Sequence, residues 1–195
     1  MSYGIMAYRV NAGKVISLCG SKDAALLGQI AGWTPAMFAA GEAENEAMRG
    51  EDIEDFDEGP DPAWAVRDLV MGLPLTRSGA EYGYGYEAII RSLGEPLDNG
   101  LFYPASVEYL RDTVDPELTA AGVSLRTEDL VFGYPLVDFP TPDDFPMVGS
   151  WSATAVAASV APLRAYSGQM REIAAIREWC EAAAAEGETI VGIYY

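Results

Sequence analysis

The chain carries, near both of its ends, a segment that is apolar on both sides when extended. In SYGIMAYRV (residues 2–10), Tyr3, Ile5 and Ala7 fall on one side, and Met6, Tyr8 and Val10 on the other. ETIVGIYY (residues 188–195) repeats the pattern. A strand of this kind has no face to give to water, so it must be covered on both. Two such strands are natural neighbours in one small sheet, and the residues between them read mostly as helices. The expected fold is therefore α+β: a predominantly helical single domain, 1–195, around a small sheet that pairs the N-terminal and C-terminal strands. At 195 residues the chain can bury roughly 70% of its unfolded surface. Trp33, Trp64, Trp151 and Trp179 are spread along it as core anchors.

Punctuation residues place the helices. Asn11 caps a short helix through Leu18, closed by Gly20, and Ser21 caps the next, with Leu26, Leu27, Ile30 and Trp33 at helical spacing. Thr34-Pro35 opens another, with Met37 and Phe38 apolar. Pro62 starts an amphipathic helix whose apolar side reads Trp64, Leu69, Val70 and Leu73, stopped by Pro74. Asp98-Asn99-Gly100 marks a turn, and Ser106 caps a helix holding Val107, Tyr109, Leu110 and Val114. Residues 123–133 (VSLRTEDLVFG) can hold a short strand. Pro135, Pro140 and Pro142, with Pro146 just beyond, make 134–145 a surface crossing. Ser152 caps a helix over 153–160. A long one follows over 167–185, with Met170, Ile173, Ile176, Trp179 and Cys180 on one face and Gly187 as its stop.

EYGYGYEAIIR (residues 81–91) admits several readings. Gly83, Gly85 and Ala88 fit a G-x-G-x-x-A dinucleotide fingerprint, but LTRSGAEY before it is a poor strand, and the mechanism of that loop needs one. As a strand, Tyr82, Tyr84 and Tyr86 would form an aromatic platform. As a helix running to Leu93 and ended by Gly94, Tyr82 and Tyr86 join Ile89, Ile90 and Leu93 in a buried stripe, and Tyr84 points away. The right flank favours the helix. Its two glycines cost roughly 1 kcal/mol each and mark close approach of another element. Tyr84, Glu81 and Glu87 are then the polar lining of any cleft at this helix start.

Charge and composition exclude whole classes of function. Twelve Lys and Arg against thirty Asp and Glu leave a net charge of −18. Nucleic acids and anionic membranes need cations from a partner, so neither is expected here. The chain has no histidine, which removes Ser-His-Asp triads, Cys-His pairs and His-containing zinc sites. Two cysteines, Cys19 and Cys180, read as buried reduced thiols. MSYGIMAYRV lacks the pattern of a secretory leader, and no apolar run is long enough to span a membrane. The expected location is the cytoplasm, with no cofactor.

Half of the residues over 42–61 (EAENEAMRGEDIEDFDEGPD) are acidic. This is either a solvated helix tail with a loop or a partly disordered arm. Asp55, Asp57 and Glu58 before Gly59 resemble part of a calcium loop but lack its remaining ligands, so no metal is assigned. The stretch suits a basic protein partner. Glu51, Asp52, Glu54, Asp55, Asp57 and Glu58 would steer encounter, and Ile53 and Phe56 would anchor it. The leading expectation is thus a non-enzymatic binding protein of the immunity or inhibitor type that engages a basic protein. The alternative is a small-molecule-binding domain or cofactor-free enzyme with a tyrosine-lined cleft at 81–91.

MSYGIMAYRV at the start, EYGYGYEAI with LGEPLDNGLFYP in the middle, DDFP at 143–146 and TIVGIYY at the end together resemble a family of uncharacterised bacterial proteins of about this length. The acidic stretch lies outside the likeness. The resemblance implies a single domain and carries no established activity.

Overall fold

A computed structural model describes residues 3–33 and 62–195. The two apolar ends pair as expected. Strand β1 (Ile5–Val10) lies antiparallel to strand β4 (Thr189–Tyr194), in register from Ile5 opposite Tyr194 to Val10 opposite Thr189. A two-residue strand β2 (Glu95–Pro96) adds beside β1, and strand β3 (Met147–Trp151) beside β4. The sheet order is β2-β1-β4-β3 with every pairing antiparallel.

Alternation along the strands splits the interior into two cores, as side chains of period two must. Ile5, Ala7, Trp151, Ile190 and Tyr194 join one of them. It is completed by α8 (Ala153–Ala165), α9 (Arg171–Glu186) and a helical run over 107–120. That run is α5 (Val107–Tyr109), a π turn at Leu110–Val114 and α6 (Asp115–Ala120). Tyr8, Val10, Val148, Val191 and Ile193 join the other core. There they meet α1 (Ala12–Leu18), α2 (Ala24–Trp33), α3 (Pro62–Met71) and α4 (Gly79–Leu93).

Most caps act as their residue types dictate. Asn11, Ser106 and Ser152 each accept a backbone N–H of the first helical turn. Gly187 closes α9 at φ 67°, a left-handed conformation that favours glycine. Both cysteines are free, and burial pushes the Cys180 thiol up to about 12 and that of Cys19 to about 11.

Three expectations need correction. Asp23, not Ser21, caps α2, its carboxylate accepting from Ala25 and Leu26 N–H at 3.0 Å each. In α3 the buried stripe is Ala65, Val66, Leu69 and Val70, while Trp64 is 46% exposed and Leu73 is exposed. At Ala65 and Val66 the helix lies directly against Gly85 of α4, which leaves no room there for an indole. Trp64 instead lies under the Arg67 and Arg77 guanidiniums at 5.2 and 5.8 Å. Residues 123–133 hold no strand; they hold helix α7 (Glu128–Phe132). Leu130 of α7 covers Gly149 of β3 and Gly192 of β4, where a Cβ on either glycine would meet helix backbone. Strand β3 itself has no counterpart among the expected elements. The helix opened by Thr34-Pro35 and the acidic stretch 42–61, with Glu51, Asp52, Ile53, Glu54, Asp55, Phe56, Asp57 and Glu58, lie outside the described residues.

Candidate binding cleft

Helix α4 contains the stretch EYGYGYEAIIR. Its start is a capping box: Ser78 Oγ accepts from Glu81 N–H, and Glu81 Oε2 accepts from Ser78 N–H at 3.1 Å. Arg77 Nη1 donates to the other Glu81 oxygen at 3.2 Å. Burial pulls the Glu81 pKa upward, but the Ser78 and Arg77 contacts outweigh it and hold the carboxyl below its usual value. Tyr82 and Tyr86 are fully buried. The Tyr82 hydroxyl donates to Asp68 at 3.1 Å, and the Tyr86 hydroxyl accepts from Leu136 N–H at 3.1 Å. The two glycines admit two different neighbours, Gly83 the ring of Pro146 and Gly85 the backbone of α3 at Ala65 and Val66.

Tyr84 and Glu87 come together with the last residue of the chain. Tyr84 is half-buried, with its ring 6.3 Å from that of Tyr195. The Tyr195 hydroxyl donates to the buried Glu87 carboxylate, and Arg91 Nη1 lies 3.3 Å from its other oxygen. Burial raises the Glu87 pKa, opposed by Tyr195 and Arg91. Tyr8 adds a second phenol next to Arg91, and its own pKa is raised by burial. Glu81 is not part of this group. The cluster satisfies itself: each carboxylate oxygen already has a partner.

A larger feature lies along the β3 edge of the sheet. A cleft of about 850 Å³ runs beside β3, between α7 on one face and the proline-rich crossing 133–142 on the other. Its lining takes alternate strand residues from both faces, Val148 and Ser150 with Met147 and Trp151. It therefore follows the strand's outer edge. Four aromatic rings, Phe132, Tyr134, Phe139 and Trp151, and two carboxylates, Asp129 and Asp138, face it. Among the described residues, neither lysine nor arginine lines it. Burial raises the Asp129 pKa; Arg126 opposes this, and the like charges of Asp115 and Glu128 add to it. Phe132 is 54% and Tyr134 88% exposed.

Polar ties hold the walls. Asp115 Oδ1 accepts from Thr127 N–H at 2.6 Å and from the Thr127 hydroxyl at 2.7 Å, which anchors the chain entering α7. The Trp151 indole N–H donates to Arg126 O at 2.8 Å, and Ser150 Oγ donates to Tyr134 O at 2.8 Å. Sequence reasoning missed Asp129, Asp138, Phe132 and Tyr134. The one local signal for them is the pair of aromatics flanking Gly133, directly before the proline run. Among the described residues, no group of three or more acidic or thiol side chains could hold a metal ion, and no helix is long and apolar enough to cross a membrane.

These features define an α+β protein with one antiparallel sheet, its two end strands central, and an acidic, aromatic cleft on one edge. The chain belongs to a family of domains of unknown function, DUF7691, whose model matches residues 1–195. No curated protein and no solved structure matches it.

Proposed function

We propose that this is a cytoplasmic binding protein, of the inhibitor or immunity type, that engages a basic protein partner, and that the cleft beside β3 receives part of that partner. The observation that carries the reading is the cleft lining: two carboxylates and four aromatic rings with no cation among them. The net charge of −18 supports it, since a field of one sign draws a basic protein in and speeds encounter. Exposed rings then supply apolar anchorage once water is expelled. The acidic stretch 42–61, with Ile53 and Phe56, offers a second docking element of the same charge.

The test is a capture from the native host at low and high salt, followed by titration of the purified basic partner. Asp129→Asn/Asp138→Asn should weaken binding and reduce its salt dependence. A variant neutralised at Glu51, Asp52, Glu54, Asp55, Asp57 and Glu58 should slow association. If neither changes the affinity or its salt slope, the reading is wrong. A second reading keeps a specific observation. The buried Glu87, raised in pKa and contacted by Tyr195 beside the half-buried Tyr84, is the type of group a small-molecule site or cofactor-free enzyme would use.

A further inference from the structure

The hydrogen bonds at the chain ends fix which way every backbone group in the sheet points. Gly4 N–H donates to Tyr195 O at 3.0 Å, and Tyr195 N–H donates to Gly4 O at 3.2 Å. That mutual exchange makes Gly4 and Tyr195 a hydrogen-bonded pair of the antiparallel ladder. Alternation then turns the backbone groups of Val191 and Ile193 toward β1, and those of Ile190, Gly192 and Tyr194 toward β3. Their partners on β3 are Trp151, Gly149 and Met147. Val148 and Ser150 are left with their N–H and C=O groups directed outward. Among the described residues, no backbone group outside the sheet bonds to either of them. Both residues line the cleft.

From this juxtaposition we infer that the cleft binds an extended lysine- or arginine-bearing segment of the partner, which adds to the sheet as a fifth strand along β3. The inference rests on the binding function proposed above and specifies its mode. A free strand edge offers a row of unused donors and acceptors, and an extended chain satisfies them two residues at a time. Five strand residues span roughly 17 Å, enough for a segment of similar length. Successive side chains of that segment point to opposite walls. One set reaches Asp129 on the α7 side, and the other reaches Asp138 on the crossing. Charge selects the occupant: a second copy of this chain would bring its own −18 to an acidic cleft, whereas a basic segment brings complementary charge.

The experiment uses the full chain and a fluorescent peptide, Lys-Lys-Val-Val-Lys-Lys, which presents lysine to both walls. A Gln-Gln-Val-Val-Gln-Gln control and a set of singly N-methylated versions accompany it. The lysine peptide should bind and the glutamine control should not. Asp129→Asn and Asp138→Asn should each weaken binding about two- to fivefold, the size expected of exposed ion pairs. N-methylation should alternate along the peptide, with at least about tenfold loss at every second amide and little effect between. Amide exchange at Val148 and Ser150 should slow on binding. If the lysine peptide does not bind, the acidic-cleft reading and this one fall together. If it binds through Asp129 and Asp138 with no alternation and no change at Val148 and Ser150, strand addition is wrong and the binding function stands. Slow exchange at those amides in a self-associated form without peptide would show that a second copy occupies the edge, and would also overturn it.

Discussion

The two edges of the sheet are treated in opposite ways. Along β1, Ile5 N–H donates to Phe102 O at 2.9 Å, Leu97 N–H to Ala7 O at 2.9 Å and Ala105 N–H to Tyr3 O at 2.8 Å. Phe102 behind them is fully buried, with its ring centroid 4.5 Å from that of Trp179, whose indole N–H donates to Asp98 O at 2.7 Å. That edge is closed by backbone and sealed by aromatics. Along β3 the outward groups of Val148 and Ser150 face a cleft. Edge strands are a hazard that folds normally cover. The fold covers one edge with backbone and leaves the other beside a cleft, and the proposed strand addition depends on that difference. The same comparison separates the two acidic groups. Glu87 is engaged inside the protein by Tyr195 and Arg91, while Asp129 and Asp138 face open space.

Amide hydrogen exchange should show the contrast most strongly. The Ile5 amide is bonded and buried, so its exchange should require opening on the scale of global unfolding, roughly 5–15 kcal/mol. The amides of Val148 and Ser150, which have no backbone partner among the described residues, should exchange far faster. Equal protection at the two edges would erase the distinction.

Phe102→Ala breaks the closed edge. Removing a fully buried ring packed on Trp179 should cost about 3–5 kcal/mol in urea unfolding and release protection at Ile5. A loss under about 1 kcal/mol would mean that the ring is not what seals this side.

Gly149→Ala tests the open edge from behind. A methyl group there would overlap the Asp129 carbonyl, so α7 must lift from the sheet, at about 1–3 kcal/mol. Peptide binding at the cleft should weaken with it, since α7 is one wall. Unchanged stability would mean that α7 does not press on β3 at this glycine.

Glu87→Gln has the smallest effect and a defined sign. Burial raises the folded pKa of Glu87, so between the ordinary carboxyl value and the raised one the folded state holds more protons than the unfolded. Wild-type stability contributed by this group therefore falls as pH rises through that window, then levels off. The variant does not titrate there, so its stability relative to wild type should rise with pH over the same window. The slope for a single proton is at most about 1.4 kcal/mol per pH unit. Denaturation at a series of pH values checks this; a difference that is flat with pH would show that the Tyr195 and Arg91 contacts cancel the burial.

Local chemistry made much of this legible. Asn11, Ser106 and Ser152 cap helices because a short polar side chain before a helical run has one favourable use. The stretch EYGYGYEAIIR showed its helix through the spacing of Tyr82, Tyr86, Ile89 and Ile90, and its glycines announced close neighbours. It did not reveal that Glu81 would be taken up by Ser78, although Ser78 and Glu81 stand at capping-box spacing. Nor did it show that Tyr84 would meet Tyr195, a contact between residues far apart in the chain.

The sequence by itself determined the α+β class and the central pair of strands, because a strand apolar on both faces can only lie between two layers. It also determined the net charge of −18, on which the proposal of a basic partner rests. Only the tertiary structure decided the candidate cleft. MVGSW is five residues around a glycine, too short and mixed to declare itself a strand, and it becomes β3 only because β4 offers it a register. Whether the outer groups of Val148 and Ser150 are used is a matter of what packs against them. That is a long-range property with no local pattern, since the polar groups of an edge strand look the same in sequence whether they are paired or free.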